Sequence, residues 1–506
     1  MAEQQAVSNQ LKTWKSIKKW EIVLYILVLL LYVAANGYLM FFHEAWRDES
    51  QAWVIAKQLS WTQIPEICAS EGHPLLWFYI LKISILFGLP FRYISVISIF
   101  FMALAAGVLL FKSDFKWFTK ILIILSPLFF YYNPVICRNY SVIMLLLCLL
   151  CTLWKDRHEK PLLYAIPVVL LFQSHILITG LAIGCILDMC INLISNKKHR
   201  DLKHFGGLLV SAASFALMFL ELRQKPGAEH FITITGDYVY DRIKGFDWLI
   251  HLKSVSDMFD YPALKIGSVV LLASVISLLV FMFLSFDPDF RKACGNTGLV
   301  YLCATGVYFG ITVFVRDISH IQMAIVLIMI ILFFCWTLRD YKKGFLFEAV
   351  MIVLCVAFIP KSLVIDPYND IKGHYSESKA LAEAVEKNVE SGSVIFVNNN
   401  FLTTSVIAYL SDSAKNYTFW DADNDEVFYI HRWGSNKQYL DESSIAAYAN
   451  DTIKKNGLSR NAYFVRGNVI IQPKQEYGSL TLISSCEDEN FWKEYYWLYK
   501  IKTQTE

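Results

Sequence analysis

Between residues 21 and 363 the sequence returns repeatedly to apolar runs that reach, or nearly reach, the length of a bilayer crossing. A helix needs about 20 such residues to span the hydrocarbon core. Only helices and closed barrels cross, because backbone amides in lipid must be satisfied internally. The runs fall at 21–42, 91–111, 118–134, 138–154, 160–175, 176–194, 205–222, 263–285, 297–315, 320–337 and 345–363. The chain therefore reads as mostly α, a polytopic membrane helix bundle of about eleven spans. Over 506 residues it is 56% hydrophobic and 18% charged, against about 45–50% and about 25% in soluble domains. That excludes a soluble enzyme. A net charge of +2 supplies no concentrated basic surface for nucleic acid. Cys148 and Cys151 form a C-x-x-C by spacing, but inside an apolar run they read as small hydrophobes.

Basic residues orient the bundle. Lys12, Lys15, Lys18 and Lys19 put the N-terminus, 1–20, in the cytoplasm. The basic loops 112–120, 155–160, 197–203, 291–292 and 339–343 join that side if eleven helices cross and the apolar stretch 74–89 does not. That stretch, bounded by His73-Pro74 and Gly88-Leu89-Pro90, reads as a juxtamembrane or re-entrant helix on the outer face. The transmembrane domain is then 21–363. Its external parts are the first loop 43–90, a turn at 133–138, loop 223–262 and corners at His175 and Arg316–His320. The expected location is the plasma (inner) membrane, multi-pass. Polar residues return in the tail, 364–506, with strand-like SVIFVNN and AYFVRGNVIIQP and an amphipathic SESKALAEAVEKNVES. This predicts a C-terminal extracytoplasmic α/β domain.

The unusual residues collect on the external side. Asp48-Glu49 follows the first span closely, and an acidic pair near lipid is costly unless solvated, paired or metal-bound. Glu71 and His73 close the same loop and form a reasonable pair of ligands for a divalent ion, with His175 and His320 as further donors. Between them, AWVIAKQLSWTQIPEI has the spacing of an interfacial helix lying on the membrane. Arg92, Arg138 and Arg316 stand at external span ends, where guanidinium matches phosphate geometry. The competing readings are a solvated loop start for the carboxylates, snorkelling or a structural carboxylate partner for the arginines, and a structural role for His175.

At these residues the chain resembles the GT-C type membrane glycosyltransferases, the group that contains protein O-mannosyltransferases and lipid A aminoarabinose transferases. The likeness is carried by R-D-E-S-Q-A-W followed by E-G-H-P-L-L-W, and runs from about residue 20 to 200, more weakly to 360. The resemblance implies an essential acidic residue soon after the first span, matched by Asp48 or Glu49. It implies a His-Pro-Pro-like closure of the loop, matched by His73-Pro74 with Leu75 in place of the second proline, and a span-boundary arginine, matched by Arg92. The family's second external corner commonly reads Y-x-R and then an acidic residue. Here Arg138 is followed by Asn139-Tyr140-Ser141 and no carboxylate.

The expected activity is transfer of a sugar from a polyprenyl-phosphate donor, or a pyrophosphate, to an envelope glycan, lipid or protein on the external face. Asp48, or alternatively Glu49, would act as base. Arg138 and Arg316, with Arg92 third, would face the lipid phosphate, and a divalent ion near Glu71 and His73 could assist. Direct displacement would invert the anomeric centre. No Gly-rich nucleotide cradle is visible, which fits a lipid-linked donor. The main rival is a transporter or flippase of lipid-linked sugars, expected to show midplane charges and repeat symmetry. Neither is visible in the sequence.

Overall fold

The computed structural model describes residues 17–223, 241, 244, 275–282, 284–288, 290, 294–314, 321–341, 343–373, 375–398, 400–428, 430, 440, 442–468, 478–488 and 493–503. In chain order the membrane part holds α1 (Lys19–Leu39), α2 (Arg47–Gln58), α3 (Ile64–Glu71), α4 (Leu76–Leu86), α5 (Ser95–Lys112), α6 (Trp117–Ile124), α7 (Tyr140–Leu153), α8 (Pro161–Phe172), α9 (Thr179–Ser195), α10 (Leu202–Leu222), α11 (Thr297–Phe314), α12 (Ile321–Leu338) and α13 (Phe345–Pro360). Five helical stretches among the described residues are long and apolar enough to cross a membrane: Lys19–Leu39, Phe91–Lys112, Ile176–Ser195, Leu202–Leu222 and Phe345–Lys372. Their outward faces carry exposed Leu, Ile, Val and Phe, as at Leu30, Leu31, Leu209 and Phe219. The chain is a membrane protein by this criterion.

The first loop is helical. At 11 residues α4 is about 16 Å long, half a bilayer core, so it does not cross alone. The expected interfacial helix is corrected. Every residue of α2 from Glu49 to Ala56 is buried, because the helix is covered by α4 on one side and by the C-terminal domain on another.

The expected span 118–134 is also corrected. Helix α6 stops at Ile124, just ahead of Ser126-Pro127, where proline removes a donor and disfavours helix in the residue before it. Residues 126–139 then run through the bundle as buried turns. Irregular backbone is tolerated there because protein satisfies it. Tyr32 donates to the Phe129 carbonyl at 2.7 Å, Asn133 to that of Leu128 at 2.8 Å, and Ser95 to that of Val135 at 2.6 Å. Tyr131 holds φ 68°, a left-handed value that is uncommon for a bulky residue.

Helices α9 and α11 approach through Gly180 and Gly184, a small-x-x-x-small spacing that lets backbones close up. A Cβ at Gly180 would lie 2.5 Å from the Cys303 carbonyl, and one at Gly184 would lie 2.7 Å from Val300 Cα. Gly184→Leu is therefore expected to lower the melting temperature sharply, by the equivalent of about 1–3 kcal/mol or more. Gly306→Ala, where a Cβ meets nothing within 4 Å, should leave it unchanged or raise it. Thermal unfolding of the detergent-purified protein reads both.

Beyond α13 a short π-turn leads to α14 (Asp366–Lys372) and α15 (Ser378–Asn388), and then to a six-stranded sheet with α16 (Asn400–Leu410) and α17 (Ile445–Asn456). The strands are β1 (Val394–Asn398), β2 (Thr418–Asp421), β3 (Glu426–Val427), β4 (Ala462–Asn468), β5 (Leu480–Cys486) and β6 (Tyr495–Ile501), in the order β3-β2-β1-β4-β6-β5. β1 pairs parallel with β2 and β4, and the outer strands are antiparallel. All five residues of β1 are buried, as expected of a strand covered on both faces. Ile395 and Val397 join the core that continues into the membrane helices, while Val394 and Phe396 face α17. Leu381 and Val385 bury one face of α15, as the sequence expects. Helix α16 rests on α2, so the α/β domain is built onto the first loop.

Candidate active site

Glu49 organises the site. It occupies the third position of α2, fully buried, and accepts the Trp46 amide at 3.2 Å, which caps the helix start. It also accepts the Cys137 amide at 2.6 Å and faces His43 Nε2 at 3.0 Å. The other ring nitrogen of His43 meets Asp370 Oδ2 of α14 at 3.1 Å. Burial works against a charged imidazole, but the flanking Glu49 and Asp370 carboxylates outweigh it and push the His43 pKa up to about 10. Glu49–His43–Asp370 is thus a buried, charged knot that ties the first loop, the 131–139 corner and the tail together. Tyr132 adds a hydrogen bond to Asp366 at the same junction.

Asp48, one residue earlier on α2, points out of that knot. Its side chain keeps 26% exposure. One oxygen pairs with the Arg138 guanidinium, and the other lies 3.9 Å from Arg47 Nε. Arg47 Nε also lies 3.7 Å from Glu494 of the C-terminal domain, and the guanidinium sits 4.5 Å from the Phe401 ring centre of α16. Both arginines flank the Trp46 indole, at 5.5 and 5.9 Å. Glu494 is fully buried and accepts the Ser376 hydroxyl at 2.7 Å. Burial pushes its carboxyl up to about 7, with Asp48 and Glu49 adding to the rise while Arg47 and Ser376 hold it back.

The remaining expected residues are placed as follows. Glu71 accepts from Gln51 of α2 at 3.0 Å. His73 packs edge-on against His175 at 4.9 Å. His175 Nδ1 accepts the Leu177 amide at 3.1 Å, which leaves Nε2 facing the Tyr140 hydroxyl at 3.4 Å. Among the described residues no group of three or more His, Cys, Asp or Glu side chains is placed to hold a metal ion. Arg92 is exposed and stacks on Tyr93 at 4.8 Å. Arg316 and His320, like the 224–240 part of the long loop, lie outside the described residues.

The structure thus brings Asp48, Glu49 and Arg138 together, separates Glu49's anchoring role from Asp48's open position, and adds His43, Arg47, Asp370, Phe401 and Glu494. Arg47 opens the R-D-E-S-Q-A-W motif and His43 stands four residues before it, so their nearness to Asp48 was readable. Asp370, Phe401 and Glu494 are hundreds of residues distant and carry no local signal. No protein-family model matches the chain, and it has no match among curated proteins.

Proposed function

We propose that this chain is an integral-membrane glycosyltransferase that works on the external face, with a cytoplasmic N-terminus and an extracytoplasmic tail in the plasma membrane. The donor is a sugar on a polyprenyl phosphate, and the acceptor is an envelope glycan, lipid or protein. The observation that carries the reading is the Asp48–Arg138 pair. It sets a partly open carboxylate beside a guanidinium just past the C-terminal end of the first span, on a scaffold locked by Glu49. The resemblance in the first loop points to the same chemistry.

The two groups have complementary tasks. When the donor phosphate enters, it takes the Arg138 guanidinium, which matches phosphate at least as well as carboxylate. Asp48 is then released to accept the proton of the acceptor hydroxyl. The acceptor oxygen bonds to the anomeric carbon as the bond from that carbon to the phosphate oxygen breaks. The electron pair leaves with polyprenyl phosphate, whose growing charge Arg138 stabilises. Attack opposite the leaving group inverts the anomeric centre.

The test is complementation of a deletion strain, read by envelope glycan composition. A sugar lost in the deletion should return with the wild-type gene and stay absent with Arg138→Gln, although that variant is present in the membrane at normal level. Full restoration by Arg138→Gln would remove the phosphate-facing role.

A further inference from the structure

Arg47 takes no step in the proposed transfer, yet it is the second guanidinium at Asp48. Its Nε is buried and donates no hydrogen bond among the described residues. The two carboxylates near it, Asp48 and Glu494, stand at 3.9 and 3.7 Å, beyond hydrogen-bond reach. The side chain keeps 19% exposure, and its position is fixed by stacking on Phe401 and Trp46. A guanidinium held on aromatic faces, with its Nε donor making no hydrogen bond, is organised in advance for an anion. The Arg138 guanidinium lies 5.9 Å from the centre of the same Trp46 ring.

We propose that Arg47 is a second phosphate ligand, forming with Arg138 a two-guanidinium cradle around Asp48 for the phosphate of the lipid-linked donor. This rests on the function proposed above and assigns it a further binding residue. It also gives the C-terminal domain a task at the site. Phe401 supplies the face that holds Arg47, and Glu494 is the carboxylate that an arriving phosphate displaces from beside it. Two arginines on one headgroup favour the donor's anionic phosphodiester over a neutral sugar, and favour still more the doubly charged polyprenyl phosphate that leaves, because each supplies a fork of donors as well as charge.

The experiment is calorimetric titration of the full-length, detergent-purified protein with farnesyl phosphate, and in parallel with inorganic phosphate. The inorganic ion shows whether the headgroup alone suffices. Wild type should bind farnesyl phosphate. Arg47→Gln should weaken it about tenfold to a hundredfold, the range for one hydrogen-bonded contact to a charged group. Glu494→Gln leaves Arg47 in place and removes a competing carboxylate, so it should tighten binding severalfold. If Arg47→Gln does not fold, Arg47→Lys keeps the charge without the fork and should bind with an affinity between those of wild type and Arg138→Gln.

Shifts in opposite directions for Arg47→Gln and Glu494→Gln support the cradle. Shifts in the same direction mean that Arg47 serves only to hold the C-terminal domain through Glu494, and overturn it. Loss of affinity in Arg138→Gln with none in Arg47→Gln or Arg47→Lys also overturns it while the donor-phosphate reading stands. No binding by wild type removes both.

Discussion

Replacing Asp48 by asparagine is expected to lower sugar transfer by about 10²–10⁴-fold, the usual contribution of a placed general base, while the protein still folds. Asparagine keeps the volume and one acceptor oxygen for Arg138, so the pair loses charge without opening a hole. The scaffold does not depend on Asp48, because Glu49 carries the bonds to Trp46, Cys137 and His43. Stability should fall by no more than about 1–3 kcal/mol, the cost of weakening one hydrogen bond to a charged group. Turnover and thermal unfolding measured on the same preparation separate the two effects. A variant that unfolds with the wild type and transfers at the wild-type rate would take the base away from Asp48.

Glu49 should show the opposite profile. Glu49→Ala strips the acceptor from the Trp46 and Cys137 amides and leaves the imidazolium of His43 with one carboxylate in a buried position. Breaking a buried pair in this way costs about 3–5 kcal/mol, so the variant should be poorly folded, and inactive for that reason. The same knot makes stability depend on pH. His43 has a folded pKa raised to about 10 from 6.5. Its contribution is therefore full below pH 6.5 and disappears as pH rises through about 10. The wild-type melting temperature should fall between pH 7 and pH 10 by more than that of His43→Gln, which has no proton to lose. Parallel curves for the two proteins would mean that His43 is neutral in the fold.

Much of this site lay open in the sequence. Two carboxylates after a first span, and an arginine at a later span boundary, are local patterns whose cost near lipid marks them out. The sequence left Asp48 and Glu49 as alternatives, and only tertiary packing separates them. Position 49 meets the Cys137 amide and position 48 does not, and that depends on where the 131–139 corner runs. That corner hid for a related reason. Its apolar composition reads as a span, whereas Pro127 ends the helix and the bundle then satisfies the irregular backbone through Tyr32, Ser95 and Asn133. Helix α2 misled in the same way. An apolar stripe at helical spacing fits a lipid surface or a protein lid equally, and here α16 covers it. Asp370, Phe401 and Glu494 could not be found by spacing at all, because the strand and helix pattern of the tail gives no hint of the surface it rests on. The tail's own elements were legible: the buried pair on α15 and the strands at 394–398 and 462–468 follow directly from period and composition.

The central claim is that Asp48 drives transfer from a lipid-linked donor outside the membrane. It is tested most directly by mass spectrometry of polyprenyl-linked sugars, resolved by leaflet, in wild type, a deletion strain, and the deletion carrying Asp48→Ala. The account predicts that one sugar disappears from an envelope polymer and that its polyprenyl-linked form accumulates on the outer leaflet, in both the deletion and the Asp48→Ala strain. Accumulation on the cytoplasmic leaflet alone, or full restoration by Asp48→Ala, would contradict it. The first of those outcomes would make the chain a carrier of the lipid-linked sugar.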